Sequence, residues 1–135
     1  MAVAIPESTH DLFERPILCA LTTINPNGQP HTVPVWCDFD GTNVRVNCPA
    51  ETRKARNMKV GTKVSVMVLD PQQAFHWIEV QGHVIEVRDE AQGAREHINK
   101  LCQRYTGNPV YVSRSGNADE KRLMFVIEPD RVHGR

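Results

Sequence analysis

The chain has 135 residues, a length that fits a single domain over residues 1–135 with its own hydrophobic core. Sixteen Lys and Arg residues balance 16 Asp and Glu residues, so the formal net charge is zero and nucleic-acid binding is disfavoured. No apolar run approaches the roughly 20 residues that a membrane helix needs, so no membrane partner is expected.

Four cysteines stand among apolar neighbours and form no C-x-x-C pair. We therefore expect buried thiols in a reducing compartment, and no disulfide. The N-terminal segment lacks the basic start and apolar run of a signal peptide, so a cytoplasmic location is expected. The cysteines are Cys19, Cys37, Cys48 and Cys102.

The first half of the chain alternates short apolar segments with turn residues. Pro16 ends a predicted first helix, and Asn27-Gly28 is a strong hairpin signal. Period-two alternation then predicts strands that form a three-stranded meander. The predicted elements are a helix over 8–15, strands over 17–24, 31–39 and 43–48, and a helix over 51–60.

The second half continues the pattern with longer strands. The inward phase of one strand breaks between Val84 and Ile85, just after Gly82, which predicts a β-bulge or a bend at a barrel corner. A polar loop over 113–122 is expected to be mobile. The predicted elements are strands over 63–70 and 77–87, a helix over 90–105 and a strand over 122–129, followed by a tail.

Six short strands joined mainly by hairpins predict a mainly β fold. The expected architecture is a small antiparallel β-barrel with a few helices on its outside.

The usual catalytic patterns are missing from the sequence. It has no G-x-S-x-G, H-E-x-x-H or G-x-x-x-x-G-K motif, and its six histidines are not at metal-ligand spacing. We assign no catalytic residue and no metal site. If the protein is an enzyme, a bound cofactor is expected to carry the reaction.

One basic segment stands out after the third predicted strand. Thr52, Arg53, Lys54 and Arg56 lie at the predicted start of a helix, where backbone N–H groups and side-chain cations can hold a phosphate. A solvated helix face is an equally good explanation of this cluster taken alone.

Two further features favour a flat, phosphorylated ligand. Pro34 cannot donate to a β-ladder, so its strand is expected at an edge or at an interruption, where backbone groups are free for a ligand. Trp36 and Trp77 are candidate walls for a ring system, or ordinary core aromatics.

These segments resemble the pyridoxamine 5′-phosphate oxidase-like superfamily of split β-barrel flavoproteins. The resemblance rests on ALTTINPNGQPHTVPVW, on VRVNCPAETRKARNMKVGTKVSVMV and on HWIEVQGHVIEV, in this order. It implies a six- to seven-stranded antiparallel split β-barrel similar to FMN-binding proteins, and a homodimer with cofactor bound across the interface. The substrate-phosphate residues of the oxidase itself are not found, which makes pyridoxamine phosphate oxidation doubtful.

Within the superfamily, the chain is most similar to small members that use the deazaflavin coenzyme F420. The shared segments are PHTVPVW, K-A-R-N, W-x-x-V-x-G and R-Y-x-G. FMN-binding members share much of this pattern, so FMN stays an alternative. The resemblance implies cofactor contacts from the strand residues His31, Val33, Pro34, Val35 and Trp36, from Asn47 and Cys48, from the phosphate segment Thr52, Arg53, Lys54, Arg56 and Asn57, and from Trp77 of the partner side.

The expected function is an oxidoreductase that passes a hydride from reduced F420 to a small unsaturated molecule. The alternatives are an FMN-dependent oxidoreductase, a flavin-binding or storage protein without catalysis, and nucleic-acid binding through the basic segment. Loops 70–76 and 106–121 are expected to set the substrate, and neither carries a readable motif.

Overall fold

The fold is given by a computed structural model, which describes residues 2–113, 116 and 119–134. Seven strands and three α-helices form it, with short 3₁₀ turns at Glu7–Thr9 and Glu90–Gln92. The strands are β1 (Cys19–Ile24), β2 (Pro30–Val35), β3 (Cys37–Phe39), β4 (Val44–Pro49), β5 (Lys63–Leu69), β6 (Trp77–Arg88) and β7 (Arg122–Gly134); the helices are α1 (Asp11–Glu14), α2 (Arg53–Asn57) and α3 (Ala94–Thr106).

All seven strands belong to one antiparallel sheet in the order β2-β1-β5-β6-β7-β4-β3. Strands β2 and β3 stand at opposite ends of this order, yet Trp36 alone separates them in sequence. The sheet must therefore curl until its two edges meet at Trp36. The predicted mainly β, antiparallel split barrel with few helices is confirmed.

The segment over 31–39 is two strands rather than the one predicted. β2 pairs with β1, whereas β3 pairs with β4, so Trp36 is the point where the chain changes partner. The prediction that Pro34 lies at a sheet edge is confirmed, since β2 is an edge strand. The period-two alternation of the sequence continues through Trp36, so the sequence pattern alone does not reveal that one strand ends and another begins there.

The predicted irregularity in the fifth strand is confirmed. In the pairing of β6 with β7, Val84 lies opposite Ile127 and Glu86 opposite Val126, so Ile85 is the extra residue of a bulge. A second register shift falls between Gln81 and Gly82.

Several predicted boundaries are wrong. β7 runs to Gly134, because the predicted tail pairs with β6. α2 has only five residues, because Met58 turns into an extended conformation and is buried. The predicted helix over 90–105 is interrupted at Gly93, whose φ of 116° is left-handed. Of the predicted polar loop, residues 114, 115, 117 and 118 lie outside the described residues, so its expected mobility stays a prediction.

The cysteine prediction is wrong for one pair. Cys19 and Cys37 form a disulfide that joins β1 to β3, whereas Cys48 and Cys102 are buried free thiols as expected. Cys19 lies opposite Val35 in the β1–β2 pairing, and Cys37 follows two residues later at the start of β3. Curling of the sheet brings the two residues together, a contact that no local spacing indicates.

The core fills the inside of the curled sheet and is closed by α1 and α2. Its inward residues are the alternate positions of β1, β4, β5, β6 and β7, as the sequence pattern predicts. α3 packs outside the sheet, mainly on β7. Among the described residues no helix is long and apolar enough to cross a membrane.

Candidate functional site: the cleft beside Trp36

A cleft of about 490 Å³ opens where the two sheet edges meet. This volume falls within the roughly 300–1,000 Å³ of small-molecule sites. The cleft takes residues from three strands, from two helices and from the segments before β1, between β2 and β3, and after α3. It is lined by Leu18, Pro34, Val35, Trp36, Asn47, Pro49, Lys54, Ile98, Tyr111 and Arg122.

Trp36 forms an aromatic wall of the cleft, and α3 fixes its position. The Trp36 ring stacks on Tyr105 with centroids 5.1 Å apart and planes 14° apart, and Tyr111 meets it edge-on at 6.3 Å. The Tyr105 hydroxyl accepts the Cys37 N–H at 3.3 Å and donates to the Ile17 carbonyl at 2.7 Å. This hydroxyl bonds the backbone of Cys37, directly after Trp36, and of Ile17, just before β1, so the ring that stacks on Trp36 is anchored to both segments.

Arg122 and Asn47 form a polar wall. The Arg122 Nε donates to Asn47 Oδ1 at 2.8 Å, and its Nη2 donates to the Asn47 carbonyl at 3.2 Å. The guanidinium also lies over the Tyr111 ring, 4.8 Å from its centroid. These contacts hold the cation in one orientation against the cleft.

A buried polar chain continues from Asn47 into the protein. Asn47 Nδ2 donates to Ala94 O at 2.9 Å and to His97 Nδ1 at 3.1 Å, which assigns the His97 proton to Nε2. His97 Nε2 then donates to Asp38 Oδ1 at 3.1 Å, and Arg45 bonds both oxygens of Asp38 at 2.9 and 2.7 Å. Because every acceptor has its donor, the orientation of Asn47 toward Arg122 is fixed.

The charge of Asp38 is stabilised despite its burial. Desolvation raises the pKa of this carboxyl, but the hydrogen bonds from His97 and Arg45 outweigh it and hold the pKa well below its ordinary value. The buried chain therefore contains a carboxylate, not a carboxylic acid, at neutral pH.

Five of the predicted cofactor residues line the cleft together. Three come from the end of β2 and the break that follows it, one from β4 and one from α2. They are Pro34, Val35, Trp36, Asn47 and Lys54.

Three other predicted cofactor residues are not among the residues that line the cleft. Val33 packs against the core. Cys48 is fully buried, and burial raises the pKa of its thiol to about 11, so it stays protonated and has no nucleophilic character. His31 is half-buried near the start of β2, opposite Thr23.

The predicted phosphate segment presents one side chain to the cleft. Lys54 lines it, whereas Arg53 and Arg56 are exposed on α2. Thr52 caps this helix, because its hydroxyl accepts from the Ala55 N–H at 3.4 Å and donates to the Pro49 carbonyl at 2.8 Å. α2 is too short to add a large dipole, so side-chain charge is what the segment offers a ligand.

The last two predicted residues lie away from the cleft lining. The Asn57 amide donates to Thr23 Oγ1 at 3.0 Å and to Asn25 Oδ1 at 2.9 Å, which anchors α2 to β1 and its turn. Trp77 opens β6 opposite Leu69 and therefore shares the outer face of the sheet with it.

Sequence reasoning missed half of the cleft. The missed residues are Leu18, Pro49, Ile98, Tyr111 and Arg122. Arg122 offered one weak signal, a lone cation directly before a strongly apolar strand. Ile98 offered none, because packing of α3 brings it to the site, and Tyr111 was anticipated only as part of loop 106–121.

Two groups of acidic and His side chains lie outside the cleft. Asp11, Asp70 and His76 come within 4.8 Å of one another, but Arg15 already bonds both carboxylates. The second group is His83 with Glu128 and Asp130, an ordinary ion-paired cluster on β6 and β7.

A protein-family model described as pyridoxamine 5′-phosphate oxidase matches residues 5–135, nearly the whole chain. With the split barrel and the cleft at its seam, this match shows that the chain belongs to the pyridoxamine 5′-phosphate oxidase family.

Solved structures agree with this assignment. A protein described as an F420 reductase is 29% identical, with a TM-score of 0.81 over 97% of this chain and 100% of that one. Two others share the fold at lower identity: HupZ of Group A Streptococcus (20%, TM-score 0.65, 95% of this chain and 91% of that one) and a pyridoxamine 5′-phosphate oxidase assigned as putative in Lactobacillus delbrueckii (16%, TM-score 0.65, 97% and 94%). Comparison with curated proteins gives no match.

Proposed function

We propose that the protein is an F420-dependent oxidoreductase that reduces a small unsaturated organic molecule. The observation that supports it most is the likeness to an F420 reductase, which covers 97% of this chain and 100% of that one. Family membership supports the coarser part of the proposal, a flavin-type cofactor and redox chemistry.

The residues of the cleft fit such a cofactor. An aromatic and apolar wall of Trp36, Pro34 and Val35 suits a flat ring, and Lys54 suits a phosphate. The edge strand β2 offers backbone groups that no other strand of the described sheet pairs. A bound deazaflavin or flavin would supply the hydride chemistry, and the protein would supply its position and surroundings.

Each predicted contact on β2, at Trp36, on β4 and in the phosphate segment keeps a role in this proposal, and Trp77 stays a predicted contact from the partner side. His31, Pro34, Val35 and Trp36 would bind the ring and its chain along β2, and Asn47 would meet them from the polar wall, with Val33 and Cys48 packing behind. Thr52, Arg53, Lys54, Arg56 and Asn57 would form the phosphate end. Lys54 would touch the phosphate itself, while the exposed Arg53 and Arg56 would meet the outer, anionic part of the cofactor.

We also propose a homodimer formed through the outer face of β1, β5 and β6. Ala20, Met67 and Glu79 are register partners on this face, and Leu69 lies opposite Trp77. Met67 and Leu69 are exposed apolar side chains, and Leu18, which lines the cleft, is 60% exposed next to them. The apolar face is thus continuous with the cleft, as a cofactor shared between two subunits requires.

The cytoplasmic location stays a prediction, and the Cys19–Cys37 disulfide removes the argument from reduced thiols that favoured it. Nucleic acid is not proposed as the ligand of Lys54, because the basic run is short and the net charge of the chain is zero.

Titration of the purified protein with F420 and, separately, with FMN tests the cofactor. Trp77→Phe leaves Trp36 as the sole tryptophan, so quenching in this variant reports the cleft, and Trp36→Phe is the matched control. We expect tight F420 binding, weaker FMN binding and quenching in Trp77→Phe. The reverse order of affinities would make the protein an FMN oxidoreductase, and binding of neither would end the proposal.

Turnover separates an enzyme from a storage protein. Oxidation of reduced F420 by unsaturated organic acceptors, followed by absorbance, is expected to accelerate with the protein present. Tight cofactor binding with no acceleration across a broad set of acceptors would indicate storage.

A further inference from the structure

The charges on the cleft wall all have one sign. Lys54 and Arg122 are the charged side chains among the described lining residues, and both are cations. The rest of the lining is apolar apart from the neutral groups of Trp36, Asn47 and Tyr111. Such a cleft favours a ligand with anionic groups at two places.

Arg122 is built into this wall rather than attached to it. The residue is 5% exposed, and its guanidinium is fixed by Asn47 at two atoms and by the hydroxyl of Tyr111 at 3.3 Å. Asn47 is fixed in turn by His97. A ligand that meets Arg122 therefore does not have to order a long side chain.

The positive charge of Arg122 is less completely neutralised than that of Arg45, the arginine at the far end of the buried polar chain. Arg45 makes two short bonds to both oxygens of Asp38, whereas Arg122 makes one contact of 3.2 Å to Glu120. Bonds to described residues use four of the five guanidinium N–H groups and leave one on Nη2.

Tyr111 provides a second donor beside the cation. Its hydroxyl oxygen accepts from Arg122 Nη1 at 3.3 Å, which leaves the O–H hydrogen to donate. One guanidinium N–H and one phenol O–H are thus the donors that this wall keeps for an anion, and a charge-assisted bond is the strong kind.

We propose that Arg122 and Tyr111 bind a carboxylate of the substrate, so that the protein acts on unsaturated organic acids. This inference rests on the proposed function, which assigns the cofactor phosphate to Lys54. Arg122 is then the residue that selects acids over neutral analogues of the same shape.

The test compares cinnamate with cinnamamide, which have nearly the same shape and differ in charge. Binding is followed by Trp36 fluorescence in Trp77→Phe protein loaded with F420. Cinnamate is expected to bind at least roughly ten-fold more tightly than cinnamamide. Arg122→Gln is expected to lower cinnamate affinity by roughly ten- to a hundred-fold and to leave cinnamamide affinity unchanged.

Three further measurements keep the result interpretable. Arg88→Gln, which removes an arginine away from the cleft, should change neither affinity. Arg122→Lys keeps the charge and should retain part of the preference for the acid, even if Arg122→Gln does not fold. The F420 affinity of Arg122→Gln should fall much less than its cinnamate affinity.

Equal binding of acid and amide by the parent protein would overturn the inference, and so would binding of neither. A loss of both ligands in folded Arg122→Gln would make Arg122 merely structural. If F420 and FMN do not bind at all, the proposed function fails, and the same acid–amide comparison on cofactor-free protein still decides the role of Arg122.

Discussion

At the scale of single residues, Asp38 is the key to the polar wall of the cleft. It is 1% exposed and receives bonds from His97 and from both ends of the Arg45 fork. Removing one partner of a buried ion pair costs more than the pair contributes, because the other charge is left without compensation.

Asp38→Asn is therefore expected to lower the free energy of unfolding by about 3 kcal/mol. Urea denaturation at neutral pH measures it. Glu86→Gln removes the carboxylate of the exposed Arg88 pair and should cost less than about 1 kcal/mol. A loss in Asp38→Asn no larger than in this control would contradict the ion-pair account.

The Asp38 carboxyl also makes the stability of the folded protein depend on pH. The pKa of Asp38 is lower in the folded than in the unfolded state, so the folded protein binds fewer protons there. Its stabilisation is complete above the unfolded pKa, roughly pH 4, and is lost as the pH falls further. Stability of the parent protein should decline below pH 4, and the decline should be shallower in Asp38→Asn.

At the scale of elements, the bulged strand β6 shows what a local pattern can reveal. The broken phase at Val84 and Ile85 was readable because inward and outward residues alternate strictly in a half-buried strand. Gly82 was singled out for the same reason, and the structure gives the cause: a Cβ there would lie against the backbone carbonyl of Glu128 and the side chain of Ile127.

Gly82→Ala is expected to destabilise the protein by about 1–3 kcal/mol, because backbone of β7 must move to admit the methyl group. Thermal or urea unfolding checks this. Gly41→Ala is the matched control, since a Cβ there meets nothing and the cost is that of a positive φ alone, about 1 kcal/mol. If Gly82→Ala were the milder of the two, close packing of β6 on β7 would not be what requires the glycine.

The break between β2 and β3 shows what a local pattern misses. The strand residues 31–35 and 37–39 obey one alternation, and nothing in it says that the ladder partner changes at Trp36. Directly after this point the Cys37 N–H bonds the Tyr105 hydroxyl, which α3 brings from 68 residues away in sequence. The same holds for the cleft: Pro34, Trp36 and Lys54 were found from local signals and Val35 and Asn47 from the family resemblance, whereas Arg122 required the tertiary fold.

At the scale of the whole molecule, one covalent link spans the seam of the barrel. Cys19 and Cys37 join β1 to β3 across 18 positions of sequence. The sequence prediction failed here because it judged each cysteine by its apolar neighbours and had no measure of how the sheet curls.

Replacing Cys19 and Cys37 together by serine is expected to lower the free energy of unfolding by about 3 kcal/mol, because a closed loop of this size restricts the unfolded chain. Thiol counting in denaturant gives an independent check: two free thiols before reduction, from Cys48 and Cys102, and four after it. Four thiols in unreduced protein would show that the disulfide does not form.

The proposed dimer forms through the outer face of β1, β5 and β6, so a charge on this face should disrupt it. Met67→Lys places a charge in the middle of this face and is expected to convert a dimer into a monomer, as measured by sedimentation velocity. Val60→Lys, at a 68% exposed position outside the face, should leave the dimer intact. A parent protein that sediments as a monomer, or a Met67→Lys variant that stays dimeric, would contradict the proposed interface.

Fold class, strand phase and the position of the basic segment thus follow from local chemistry. The family resemblance adds the prediction that this segment binds the cofactor. What could not be predicted is how much of that segment faces the cleft. Lys54 lines it, while Arg53 and Arg56 are exposed, so the central claim depends chiefly on one cation.

The most direct test is the F420 dissociation constant of Lys54→Ala, measured by calorimetry beside the parent protein and Lys59→Ala. Lys59 is an exposed lysine on the same segment that does not line the cleft. If Lys54 binds the cofactor phosphate, Lys54→Ala should lose about 1.5–3 kcal/mol of binding free energy, and Lys59→Ala should lose little. Equal affinities in all three proteins would contradict a cofactor held in this cleft.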